Sequence, residues 1–204
     1  MTTLELDTPH GPGRAHLHQV ADARAALVLG HGAAGGVSSR DLMTAAGVAG
    51  EERVTAVLVE QPYRVAGRRG PAPPKQLDAA WTAVVGRLVA GELRGVPHLV
   101  GGRSSGARVA CRTADATGAV GVLCLAFPLQ PPGRPGAPSR LPELDAVTVP
   151  TLVVQGARDP FGIPPAAKRR SVVVVEADHG LRTDLAAVAE AVRAWLRLVL
   201  GEGE

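Results

Sequence analysis

Between a short apolar run, Pro97-His98-Leu99-Val100-Gly101, and a helix-like segment, Ala107-Arg108-Val109-Ala110-Cys111-Arg112, the chain reads Gly102-Arg103-Ser104-Ser105-Gly106. No other stretch constrains the fold as much. A G-x-S-x-G pentapeptide between strand and helix predicts a sharp turn that lifts one serine hydroxyl clear of the backbone. The two glycines are needed because a side chain at either would collide with a neighbouring strand or helix. The turn also places the Ser105 N–H at a helix N-terminus, where it can stabilise an oxyanion. With 25 Gly but only six Ser in 204 residues, chance rarely supplies such a pentapeptide.

Around this turn, short β-branched or leucine-rich runs alternate with helical patterns. That order predicts an α/β fold with a mostly parallel sheet covered on both faces. Strands are expected near 14–19, 25–29, 54–59, 97–101, 119–125, 151–155 and 171–175. Val54–Val59 and Ser171–Val175 lack alternation, which predicts burial on both faces. Helices are expected near 39–49, 75–92, 105–116 and 182–200. Leu77, Trp81, Val84, Val85 and Leu88 form one apolar stripe, and Leu185, Val188, Val192, Trp195 and Val199 form another. Trp81 and Trp195 are expected as core anchors. Aromatics are only 2% of the chain against 46% hydrophobic residues, so Val, Leu and Ala must fill the core. The Pro/Gly-rich loops 61–74, 128–142 and 156–165 are each too short for a cap domain, and a single domain over residues 1–204 is expected.

A serine hydroxyl is a weak nucleophile until a base takes its proton, and that base needs a carboxylate to orient it. Two later strand ends supply both. Thr151-Leu152-Val153-Val154-Gln155-Gly156-Ala157-Arg158-Asp159 is a strand and turn ending in an acid. Val172-Val173-Val174-Val175-Glu176-Ala177-Asp178-His179 ends in a histidine just before the final helix. The order Ser104, Asp159, His179 matches the Ser, acid, His order of such sheets. Taken alone, Asp159 before Pro160 is also a common turn pair, and His179 alone reads as a surface histidine. Asp178 is expected to cap the last helix. The second oxyanion donor is expected from His31-Gly32-Ala33-Ala34-Gly35-Gly36, through the Ala33 N–H beside that of Ser105, with His31 holding the loop.

The same loop carries a rival reading. Gly30-His31-Gly32-Ala33-Ala34-Gly35 spells G-x-G-x-x-G after a strand, with Glu60 ending the next one, as in a dinucleotide site. That reading leaves Ser104, Asp159 and His179 as coincidences, so no cofactor is expected. Metal binding is not expected either, because His16-x-His18 has ligand-like spacing but no evident third ligand. The net charge of +3 is too small to imply nucleic-acid binding without a clustered patch. The densest clusters, Arg64/Arg68/Arg69 and Lys168-Arg169-Arg170, read as solvated surface. Cys111 and Cys124 lie in apolar surroundings and fit a reducing compartment. No apolar run approaches a membrane span and no leader is evident, so a cytoplasmic location is expected.

Together these residues resemble the α/β-hydrolase fold, and more narrowly its compact, cap-less branch related to dienelactone hydrolases. Leu29–Gly36, Gln61-Pro62-Tyr63-Arg64, Gly101–Ala110 and Gln155–Gly162 also resemble a predicted-hydrolase family that includes bacterial proteins and hydrolase-like eukaryotic regulatory subunits. The resemblance spans roughly residues 25–200. It implies Ser104 as nucleophile, Asp159 as acid and His179 as base, in an enzyme cleaving a small ester or related acyl substrate. Two features depart from the pattern. Ser105 follows the nucleophile where Gly, Met or Gln is commoner, and the short N-terminal part implies that a strand or two of the usual eight is missing. A sheet of about six or seven strands is therefore expected. Arg64 and Arg103, near the same sheet edge, are candidate substrate-binding residues for anionic esters. The alternative within this resemblance is a non-catalytic scaffold that binds a protein partner through its open face and the Pro-rich loop 128–142.

Overall fold

The computed structural model describes residues 1–134 and 136–201. Eight strands form one sheet: β1 (Thr2–Leu6), β2 (Gly13–His18), β3 (Ala25–Gly30), β4 (Val54–Glu60), β5 (His98–Arg103), β6 (Val122–Leu125), β7 (Thr151–Gly156) and β8 (Arg170–Val175). Their order is β1-β2-β4-β3-β5-β6-β7-β8. The expected six or seven strands are thus corrected to eight. β2 is the strand expected near 14–19 and pairs antiparallel to β4, and the strand not anticipated is β1, which pairs antiparallel to β2 at the sheet edge. From β4 to β8 every neighbouring pair is parallel.

Burial follows position in this order. In β2 the alternation Gly-Arg-Ala-His-Leu-His turns Ala15 and Leu17 inward and leaves Arg14, His16 and His18 partly exposed. Every residue of β3 and β7 is buried. In β8 the valine run does not mean burial on both faces: Val173 and Val174 are 36% and 49% exposed. The strand closes the sheet edge, so its flanks lack a neighbour's cover.

Helices α1 (Arg40–Glu51), α2 (Pro62–Val65), α3 (Pro74–Ala90), α4 (Ser105–Thr117), α5 (Leu141–Asp145) and α6 (Leu185–Leu200) complete the chain. The short α2 arises inside the expected loop 61–74 and α5 begins at the end of the expected loop 128–142, each with a proline in its first turn, where a missing N–H costs nothing. The sheet separates two apolar cores. Trp81 of α3 anchors one, and Trp195 of α6 anchors the other beside α1. Glu52, just after α1, ties that second side together: it accepts from Arg197 of α6 at 2.7 Å, and this bond holds its carboxyl below the ordinary value. No separate domain stands over the C-terminal ends of the parallel strands among the described residues.

Candidate active site

β5 ends at Arg103 and α4 begins at Ser105, so Ser104 alone makes the turn between them. It does so at φ 51° and ψ −108°, a backbone conformation that costs a side-chain-bearing residue about 1–3 kcal/mol. The surroundings hold it there: its N–H donates to the Leu125 carbonyl at 2.9 Å, and its carbonyl accepts from Arg108 N–H at 3.2 Å. The flanking glycines let α4 press onto β3. A Cβ at Gly102 would stand 2.5 Å from the Gly30 carbonyl oxygen, and one at Gly106 would overlap the same carbonyl.

The two later strand ends meet this turn. His179 Nε2 lies 3.0 Å from Ser104 Oγ, and His179 Nδ1 lies 2.8 Å from Asp159 Oδ2. A carboxylate only accepts, so Nδ1 carries the proton and Nε2 is left to accept from the serine hydroxyl. The Asp159 side chain is fully buried and that of His179 is about one-fifth exposed. Phe161 N–H donates to Asp159 Oδ1 at 2.9 Å, and the Phe161 ring rests on the imidazole with centroids 4.4 Å apart. Gln155, fully buried at the end of β7, donates to Asp159 Oδ2 at 2.7 Å. The same amide faces the carbonyls of Phe127 and Gly162 at 3.1 and 3.0 Å. Three acceptors around one NH2 fix which way that amide points.

On the other side of Ser104 stands the loop after β3. Buried His31 bonds through Nδ1 to the Gly32 carbonyl at 2.8 Å, while Nε2 accepts from Gln61 N–H at 3.1 Å. Burial lowers the His31 pKa, which keeps the ring neutral and this pairing consistent. Tyr63 adds a hydroxyl bond to the Ala33 carbonyl at 3.1 Å and an edge contact to the His31 ring. The N–H groups of Ala33 and Ser105 make no hydrogen bond to the protein among the described residues. His31 therefore has the loop-holding part expected of it. Tyr63, Gln155 and Phe161 lie in segments that carry the family resemblance, but nothing in the sequence gave any of them a role; each shows its part only through its partners in the fold.

Other expectations are relocated. Arg64 lies half-buried on α2, where its charge acts on His31 and Tyr63, and it has no hydrogen bond to Ser104, Asp159 or His179. Arg103 is committed to protein groups, donating to Asp41 Oδ2 and to the His179 carbonyl. Asp178 does not cap α6: its carboxylate accepts from Gly180 N–H in the turn, and the cap is Asp184, which accepts from Ala187 N–H. The helix starts three residues later than expected. Glu60 bonds to His16 at 2.9 Å, and α1 begins at Arg40, well beyond Gly30–Gly35. A dinucleotide fingerprint needs the helix to open inside the glycine motif, so that context is absent here. Cys111 and Cys124 are free, buried, and 3.4 Å apart between sulfurs. That contact, followed by burial, pushes the Cys124 thiol well above its ordinary value, so it supplies no thiolate.

Eight strands in this order, with a serine at the turn after the fifth, define an α/β-hydrolase architecture. The chain belongs to the alpha/beta hydrolase domain family, whose model matches residues 23–190. Among solved structures it is similar to a lidless α/β serine hydrolase from Xanthomonas campestris, at 19% identity and TM-score 0.77, covering 98% of this chain and 95% of that one. It is also similar to Est1E from Butyrivibrio proteoclasticus, at 15% identity and TM-score 0.77, covering 97% and 98%. Dienelactone hydrolase from Anabaena variabilis follows at 14% identity and TM-score 0.74, covering 97% and 96%. At these identities the likeness is one of fold. No curated protein sequence matches the chain.

Proposed function

We propose that this chain is a serine hydrolase cleaving a small carboxylic ester or related acyl substrate. The observation that carries the reading is His179 bridging Ser104 Oγ and Asp159 Oδ2 at 3.0 and 2.8 Å. In this mechanism Ser104 Oγ attacks the ester carbonyl carbon while its proton passes to His179 Nε2. Asp159 keeps Nδ1 protonated and stabilises the imidazolium. The oxyanion is met by the N–H groups of Ala33 and Ser105, the latter at the positive end of α4. Collapse breaks the bond to the leaving alkoxide, which takes the proton from His179. Water, deprotonated by the same nitrogen, then attacks the acyl-serine and releases the acid and the free hydroxyl. Chemistry of this kind needs no cofactor. The two free thiols fit a reducing, cytoplasmic setting, and no helix among the described residues is long and apolar enough to cross a membrane.

Labelling by a fluorophosphonate probe tests the assignment. Wild type should be labelled and Ser104→Ala should not, with esterase turnover falling by about 10⁴-fold or more. Folded wild type that stays unlabelled would move the partner-binding scaffold ahead of the hydrolase.

A further inference from the structure

We infer that Arg103 is a positioning residue, locking the loops of the base and the oxyanion hole onto the serine turn; this rests on the hydrolase reading above. Arg103 directly precedes Ser104 and is half-buried. Its Nε donates to Asp41 Oδ2 at 3.1 Å and its Nη2 to the His179 carbonyl at 3.0 Å. Its Nη1 lies so close beneath Gly32 that a Cβ there would stand 2.9 Å away. Asp41 is 1% exposed, and its other oxygen accepts from Leu42 N–H at 3.0 Å, so the anchor is itself fixed.

One guanidinium thus touches the start of α1, the loop bearing Ala33 and the loop bearing His179, and its own backbone runs into Ser104. The need is specific. His179 sits on residues 176–184, a loop leaving an edge strand, where Glu176, Asp178, Arg182 and Thr183 are exposed. Ala177 and Leu181 bury on either side of His179, and the bond from Arg103 holds the His179 backbone carbonyl itself, so that the ring meets both Asp159 and Ser104. A planar fork of five donors serves two acceptors at once, which an ammonium on a flexible stem does poorly. Misplacing a catalytic group by about 1 Å costs roughly 10²-fold.

This role differs from binding an anionic substrate, and kinetics separate the two. Wild type, Arg103→Met and the double variant Arg103→Met/Asp41→Asn would be compared by fluorophosphonate labelling rate per folded molecule. Steady-state turnover of a neutral and a carboxylate-bearing nitrophenyl ester would accompany it. Positioning predicts that kcat and labelling fall by about 10- to 100-fold, equally for both esters, with KM within about twofold of wild type. Arg103→Met strands a buried carboxylate, so it should also melt earlier. Neutralising Asp41 should return the melting temperature towards wild type while labelling stays slow, which a purely structural role would not give. Arg103→Lys should recover part of the rate. Labelling of the double variant within about twofold of wild type would overturn the inference, as would a KM rise confined to the anionic ester. Wild type that is not labelled at all would instead overturn the hydrolase reading beneath it.

Discussion

Ser104 bears two burdens at once: its hydroxyl faces His179, and its backbone sits where only glycine is at ease. The strain belongs to the residue and is separable from the chemistry. Replacing Ser104 by Gly should stabilise the fold by about 1 kcal/mol relative to Ser104→Ala, since Ala keeps the Cβ and Gly removes it. Urea midpoints of the two variants check this, and equal midpoints would mean that the turn is unstrained. The three proposed catalytic positions were readable from the chain because each ends a strand and the strand ends share one edge. Their supports were not. Whether Arg103 points to solvent or folds back to Asp41 depends on a turn whose side-chain directions no local pattern encodes. Gln155 shows its importance only once Asp159 lies beside it.

Among the elements, the loop after β3 depends on one neutral imidazole. His31 accepts from Gln61 N–H, and a proton on Nε2 would abolish that bond. Burial lowers its pKa from an ordinary 6.5, so the unfolded chain takes up the proton first as the medium is acidified. The contribution is complete above pH 6.5 and is lost as pH falls towards the folded value. The melting temperature should therefore drop on acidification below pH 6.5, and less steeply in His31→Asn, which keeps a donor for the Gly32 carbonyl but never titrates. Equal slopes in the two proteins would remove His31 from this account. Element boundaries were legible in the middle of the sheet and less so at its margins. β1 reads Thr-Thr-Leu-Glu-Leu and buries only its last residue, so it has almost no apolar period to detect. The valine run of β8 looks like a central strand because its composition says nothing of its place in the order. Asp178 and Asp184 are both plausible caps by type, and the turn at Gly180 decides between them.

At the scale of the molecule, one sheet divides two cores, each with a single tryptophan, and the parallel strands point their C-terminal ends to an uncovered edge. The α/β class, the cover on both faces and the lack of a cap were all readable from alternating strand and helix patterns and short loops. The count of strands was not, because β1 buries only Leu6 and joins the sheet edge through its backbone pairing with β2. The uncovered edge bears on how such a protein would behave at an oil–water boundary. Hydrolases gated by a cover gain rate when a lipid surface draws that cover aside. No such cover stands over that edge among the described residues, so on the hydrolase reading proposed above, turnover of a sparingly soluble ester should track its dissolved monomer and level off where droplets form. A rate that jumped at the onset of turbidity would reveal a moving part that the resting fold conceals.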